Sequence, residues 1–359
     1  MQGINIFCRG KDFYRSLEDE ISLAKKEILI NVYSFQNDAV GKKFVHILKR
    51  KLSEGVAVKI IIDALGTHHT SEEISRAFGE NNDIVRVFRP KDRYLKQHPV
   101  KYFQRNHARI FLIDRKILGV GGMGIGEIYN ERQDLVAFVP IADANPIASY
   151  FNDLWELSGK GDCNHVSSLD YSRPIPIAQG IQALISTPAE EGQMIYRWTI
   201  EQIRSAKERI IIVSAWFLPT IELVKALCDA KGRGVDVAIV TPSHTDKRWY
   251  DDFRGAVMPR LLKRDIVWHG TQEYFHQKYF IIDSDWCLGS ANFDMVSMNR
   301  DYELNLCGPG GEVLQELQTN FNALINNSEQ IRHAKIHWLV HLLEEAVYPL
   351  FEAIIVTRR

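Results

Sequence analysis

HARIFLID at 107–114 and HQKYFIID at 276–283 carry one pattern twice: a histidine, a cation two residues on, four apolar residues and an aspartate. On a strand, residues i and i+2 share a face. His107 and Arg109 therefore point the same way, as do His276 and Lys278, while IFLI and YFII belong to a sheet interior. A single His-x-Lys on a strand is ordinary. Two copies at matched places in a duplicated chain are hard to explain by core packing.

The duplication extends outward from these strands. EISLAKKEILINVYSF (20–35) is echoed by QIRSAKERIIIVSAWF (202–217), each an amphipathic helix, Ala-Lys, a charge and a β-branched strand. LSEGVAVKIIID (52–63) matches AKGRGVDVAIVTPS (230–243), and NDIVRVF (82–88) matches RDIVWHG (264–270). The copies keep their order at a separation of about 170–180 residues, far longer than a solenoid period. Strand and helix alternate in each half, which predicts two α/β units, each a mixed, mostly buried sheet flanked by helices, related by a pseudo-twofold. The boundaries expected are 1–165 for the first half and 178–325 for the second, with a loop-like GKGDCNHVSSLDYSRPIP (159–176) at the join. Residues 326–359 are expected to add a C-terminal amphipathic helical segment.

The pairing of an imidazole with a permanent cation suits phosphoryl chemistry. A phosphodiester carries charge that must be neutralised and held in line, and two cations do this without a metal. One imidazole can attack phosphorus while the other protonates the leaving alcohol. The catalytic candidates are His107, Arg109, Asp114, His276, Lys278 and Asp283, with Asp114 and Asp283 read as capping the turn or pairing with a cation rather than doing chemistry. A Gly-rich turn follows each strand, GGMG at 121–124 and GSAN at 289–292, making Gly122, Ser290 and Asn292 phosphate-binding or support candidates. Asp134 lies 27 residues after His107, and Glu303 lies 27 after His276. An acid at a matched offset is a candidate to accept from imidazole Nδ1 and fix the tautomer.

Composition narrows the class. The 359 residues carry a net charge of −1, so no global basic field marks a nucleic-acid partner. Five widely spaced cysteines contain no C-x-x-C pair, which argues against a disulfide framework or zinc site and for reduced thiols. No metal or cofactor is expected. The first residues lack a secretory-signal pattern, and no apolar run is long enough to span a bilayer.

FQRNHARIFLIDRKILGVGGMGIGE, GRGVDVAIVTPS and LGSANFDMVSMNRDYELNL together resemble the doubled His-x-Lys, Asp, Gly-Ser-x-Asn signature of the phospholipase D superfamily. Within it, the likeness is to bacterial cardiolipin synthases of the kind without N-terminal transmembrane helices. The resemblance implies the phospholipase D fold with its site between two halves, and phosphatidyl transfer through a phosphohistidine without a metal. It implies His107 as nucleophile and His276 as general acid, with the roles open to exchange. Arg109 stands where the family has Lys, Gly124 where it often has Asn, and one residue fewer separates Asp283 from Gly289 than Asp114 from Gly121. Hydrolysis of phospholipid, metal-independent nucleic-acid cleavage and a degenerate non-enzymatic copy are the rival readings.

The run 86–109 holds Arg86, Arg89, Lys91, Arg93, Lys96, Lys101, Arg105 and Arg109 against Asp92, interleaved with aromatic residues. With the apolar 333–359 stretch it predicts docking on an anionic membrane surface. The expected substrate is a phospholipid such as phosphatidylglycerol, met in the cytoplasm on the inner face of the cell membrane.

Overall fold

The computed structural model describes residues 3–67, 70–79, 83–158, 170–189, 192–332, 348 and 352–353. In chain order the strands are β1 (Asn5–Arg9), β2 (Glu27–Val32), β3 (Ala57–Asp63), β4 (Val85–Phe88), β5 (Ile110–Ile113), β6 (Ile117–Gly121), β7 (Gln133–Pro140), β8 (Ile175–Ala178), β9 (Ile181–Ser186), β10 (Arg209–Ser214), β11 (Phe217–Leu218), β12 (Asp236–Pro242), β13 (Val267–Thr271), β14 (Lys278–Ile282), β15 (Asp285–Gly289), β16 (Phe293–Asp294), β17 (Glu303–Pro309) and β18 (Ser328–Gln330).

Two large sheets repeat one plan. The first runs β1-β7-β6-β5-β2-β3-β4, and the second runs β8-β9-β17-β15-β14-β10-β12-β13-β18. In each, three parallel strands (β2-β3-β4 and β10-β12-β13) meet an antiparallel run that begins with the strand after the histidine. The central parallel strands carry buried apolar runs, Ile28–Ile30 in β2 and Ile210–Val213 in β10, because both of their faces are covered. The matching crossover helices start and stop by the same devices. Asp38 accepts from the Gly41 N–H to cap Ala39–Ser53, and Thr220 accepts from the Leu223 N–H to cap Ile221–Gly232. Gly55 and Gly234, at φ of 84° and 93°, then turn the chain into the next strand.

The spacing difference between the two motifs lies in the hairpin turns. Ile113 pairs with Ile117 across three residues, whereas Ile282 pairs with Asp285 across two. Beyond the turn the registers agree: Gly121 faces Val136 and Gly289 faces Asn305, two residues past each conserved-offset acid.

The two sheets share one buried apolar cluster. It takes Leu29, Ile110 and Ala137 from the first, Val213, Tyr279 and Leu306 from the second, and the inner faces of helices Asn145–Leu157 and Gly311–Asn326. Of the proposed C-terminal helical segment, residues 333–347, 349–351 and 354–359 lie outside the described residues. Residues 328–330 form a strand on β13 instead of helix. Tyr348 and Glu352 attach to the second half, the carboxylate of Glu352 accepting from the Ile221 N–H at 3.2 Å. Among the described residues no helix is long and apolar enough to cross a membrane.

Candidate active site

The two histidines are positioned by the half to which they do not belong. The His107 N–H donates to the Tyr302 carbonyl (3.0 Å), and the His276 N–H donates to the Gln133 carbonyl (2.6 Å). Each of those carbonyls lies one residue before an acid. Glu303 Oε1 is therefore brought to 2.8 Å from His107 Nδ1, and Asp134 Oδ2 to 2.8 Å from His276 Nδ1. The equal sequence offset suggests an acid serving its own half; the structure exchanges them. Both carboxylates are fully buried, and each is placed to accept from an Nδ1–H and so to turn Nε2 toward the chemistry.

The supports of the two acids differ. Ser290 Oγ and Ser297 Oγ each donate to Glu303 at 2.5 Å, one to each carboxylate oxygen. At the place matching Ser290 stands Gly122, where a Cβ would come within 2.2 Å of Asp134 Oδ1. That glycine makes room for the shorter acid, whose Oδ1 accepts from the Leu135 N–H. Gly124 has a similar reason: a side chain there would meet the Ser34 carbonyl at 2.3 Å and the Tyr129 hydroxyl at 2.9 Å. Asn292, its counterpart, lines the cavity, and its buried Oδ1 has no hydrogen-bond partner among the described residues.

Lys278 Nζ donates to the His276 carbonyl at 2.6 Å and lies against the ring edge, 2.8 Å from Nδ1 and 3.3 Å from Nε2. The Arg109 guanidinium bonds the His107 carbonyl and lies 5.4 Å from the centre of the Tyr33 ring, with its Nε buried and unpartnered. Burial, then Lys278, pushes His276 down to about 3 against the opposing pull of Asp134. Burial, then Arg109, lowers His107 against the pull of Glu303. Burial brings Lys278 down to about 7, with Asp134 holding it up. Burial works against ionising the two acids, but Lys278 and His276 hold Asp134 below its ordinary range, and His107 with Arg109 does the same for Glu303. Both imidazoles are thus held toward the neutral form, each beside a carboxylate held ionised.

Asp114 and Asp283 lie at the far ends of β5 and β14 and do not line the cavity. Asp114 accepts from the N–H groups of Lys25, Lys26 and Glu27, and Asp283 from those of Lys207, Glu208 and Arg209. Both adopt positive φ, 50° and 52°, which Asp tolerates better than most residues. Their partners are backbone amides rather than a cation, and they have no place among the groups that meet substrate.

A cavity of about 910 Å³ opens between the halves, lined by both histidines and Arg109. Sequence reading passed over Tyr33, Arg132, Trp216, Asp294 and Asp301, which also line it. Tyr33 packs edge-on against His107 at 5.0 Å. Burial raises Asp294 to about 7 and Asp301 well above its ordinary value, with Glu303 adding to both.

The basic run is not a continuous charged face. Arg105 is buried against Asp63 at 2.8 Å, Arg89 is buried on the Gln104 and Lys101 carbonyls, and Arg86 packs over Trp155. Lys91, Lys96 and Lys101 remain on the surface, beside exposed Val100 and Phe103.

Two sheets of this plan, docked so that each contributes a histidine to one cavity and holds a cation beside it, define a phospholipase D-type phosphatidyltransferase. The fold matches phosphatidylserine synthase of Haemophilus influenzae with a TM-score of 0.71 at 13% identity, covering 100% of this chain and 96% of that one. Residues 17–155 and 199–325 match the family model described as cardiolipin synthase, PLD-like domain, and the chain belongs to that family. Relatives include a cardiolipin synthase of Listeria monocytogenes, 29% identical over 91% of this chain and 70% of its own length. A probable cardiolipin synthase of Bacillus subtilis is 27% identical over 91% of this chain and 67% of its own.

Proposed function

We propose that this enzyme transfers a phosphatidyl group from phosphatidylglycerol to a second phospholipid hydroxyl, making cardiolipin through a phosphohistidine. The observation that carries the reading is the crossed pair of Nδ1-anchored imidazoles facing one cavity. His107 Nε2 attacks phosphorus in line, the P–O bond to the departing glycerol breaks, and His276 gives that oxygen its proton. The acceptor hydroxyl then returns its proton to His276 as its oxygen attacks phosphorus and the P–N bond breaks. Arg109 and Lys278 neutralise the phosphoryl oxygens, and the Asn292 amide donates to them through Nδ2. Asp134 and Glu303 hold the rings.

Charge explains how a histidine held down near 3 becomes an acid. An arriving phosphodiester adds negative charge beside both rings and favours a proton on one of them, which yields one acid and one neutral nucleophile. Relatives named as cardiolipin synthases support the phospholipid substrate. Exposed Lys91, Lys96 and Lys101 beside Phe103 support docking on an anionic membrane surface, taken to be the inner face of the cell membrane.

The test is incubation with phosphatidylglycerol vesicles and a chelator, products being separated by mass. Cardiolipin from the wild type and none from His107→Ala or His276→Ala is expected. Phosphatidic acid as the sole product would replace transfer by hydrolysis, and inhibition by the chelator would remove the metal-free scheme.

A further inference from the structure

Arg109 and Lys278 suffice for the reacting phosphate, yet another cation lines the same cavity without a task in that chemistry. Arg132 stands two residues before Asp134 and is half-buried. Its guanidinium lies 5.8 Å from the centre of the Tyr129 ring and 5.1 Å from that of Tyr274, one ring from each half. Such a clamp restricts a side chain that is otherwise costly to order on binding. Its neighbours are engaged elsewhere, Glu131 with Lys11 and Gln133 with Glu273. Among the described residues no carboxylate forms an ion pair with Arg132. The Tyr274 ring beneath it lies 6.4 Å from the ring of His276, which places Arg132 on the His276 side.

The cavity is not symmetric in charge. The pseudo-twofold counterpart of Arg132 is Asp301, buried on the His107 side where it accepts from the Arg105 N–H at 2.8 Å. Asp294 lines the cavity as well, close enough to feel the charges of both Glu303 and Lys278. The His276 wing has Arg132 and Lys247, with Asp246 as the acid that lines it there. On the His107 side the lining cation Arg105 is committed to Asp63, whereas Arg132 forms no ion pair among the described residues, so a second anion beyond the reacting phosphate is best met beside His276.

Reaction geometry points to the same wing. With His107 attacking in line, the glycerol leaves under His276, and the acceptor hydroxyl arrives by that path. A phospholipid acceptor carries its own phosphate, one glycerol bridge from the phosphorus it attacks. We infer that Arg132 binds the phosphate of the acceptor phospholipid and sets the preference for a lipid acceptor over a simple alcohol. The inference rests on the phosphatidyl transfer proposed above. The reacting atoms are those of the second step: the acceptor oxygen joins phosphorus, the bond to His107 Nε2 breaks, and His276 takes the proton. Arg132 holds the unreactive phosphate throughout.

The test offers phosphatidylglycerol vesicles with chelator and ethanol, so that lipid and ethanol compete for one phosphatidyl-enzyme. The ratio of cardiolipin to phosphatidylethanol is internal to each preparation and independent of the fraction folded. Arg132→Gln should lower that ratio by about 10–100-fold, the scale of one lost charge-assisted hydrogen bond, with phosphatidylethanol still formed. Arg132→Lys should recover part of it. A wild-type ratio in Arg132→Gln overturns the inference, as does a parallel fall in both products, which would put Arg132 in the donor step. Phosphatidylethanol without cardiolipin from the wild type would remove lipid-to-lipid transfer and this inference together. No phosphatidyl product from the wild type would overturn the proposed function itself.

Discussion

At the scale of single residues, the hydrogen bonds to Nδ1 are the most exposed to test. Glu303→Gln keeps the shape but loses the charge that steadies an imidazolium and fixes the tautomer. By analogy with the acid of serine-protease triads, kcat should fall by roughly 10²–10⁴ with KM changed little, read in a phosphatidyl-transfer assay. A fall below tenfold would leave Glu303 with a packing role. The acid side of the stability curve tests His276. Its pKa is about 3 in the fold against 6.5 ordinarily. The unfolded chain therefore takes up a proton below pH 6.5 that the folded chain refuses until about 3. Stability from the neutral ring is whole above 6.5 and drains as pH falls, at up to about 1.4 kcal/mol per pH unit. His276→Asn should flatten the decline of urea midpoints between pH 6.5 and 4.5; an unchanged slope would contradict the buried neutral ring. The candidates themselves were legible because the chain states them twice. Their partners were not, since 27 residues separate each histidine from both its own half's acid and, by symmetry, the place its true partner occupies in the copy. Only docking tells the two apart.

At the scale of elements, the hairpins of β5-β6 and β14-β15 show why an aspartate belongs to the motif without meeting substrate. Asp283 gathers three N–H groups at the start of β10 and so fixes that strand against β14. Asp283→Ala should cost about 1–3 kcal/mol in urea unfolding while leaving kcat of the folded enzyme near wild type. Loss of kcat without loss of stability would return Asp283 to the chemistry. Strand periodicity was readable, because buried β-branched runs bounded by glycine have few other readings. The role of the basic run was not. Arg89 and Arg105 look like surface cations in the sequence, and only the fold supplies the carbonyls and the Asp63 carboxylate that bury them.

At the scale of the whole molecule, the apolar cluster common to both sheets makes the halves one thermodynamic unit. Leu317 is fully buried within it, on the helix Gly311–Asn326. Leu317→Ala should destabilise by about 2–5 kcal/mol and shift a single calorimetric transition, not split it. Two separated transitions would mean that the halves unfold independently. The sequence showed that there were two copies and what each carried. It did not show which surfaces meet, because the apolar residues of Asn145–Leu157 and Gly311–Asn326 read equally well as packing within their own halves.

The exchange of acids between the halves also bears on synthesis. As the ribosome releases the first half, His107 is complete but has no carboxylate to set its proton, for Glu303 is still to be translated. His276 finds Asp134 ready, yet it too needs the docked partner. Reactivity toward phosphodiesters is thus switched on by the last act of assembly, and an unfinished chain has no competent pair. The same bonds tie the history of the two copies together. A drift at Glu303 or Ser290 is felt at His107, and one at Asp134 or Gly122 at His276, so neither copy can wander without the other.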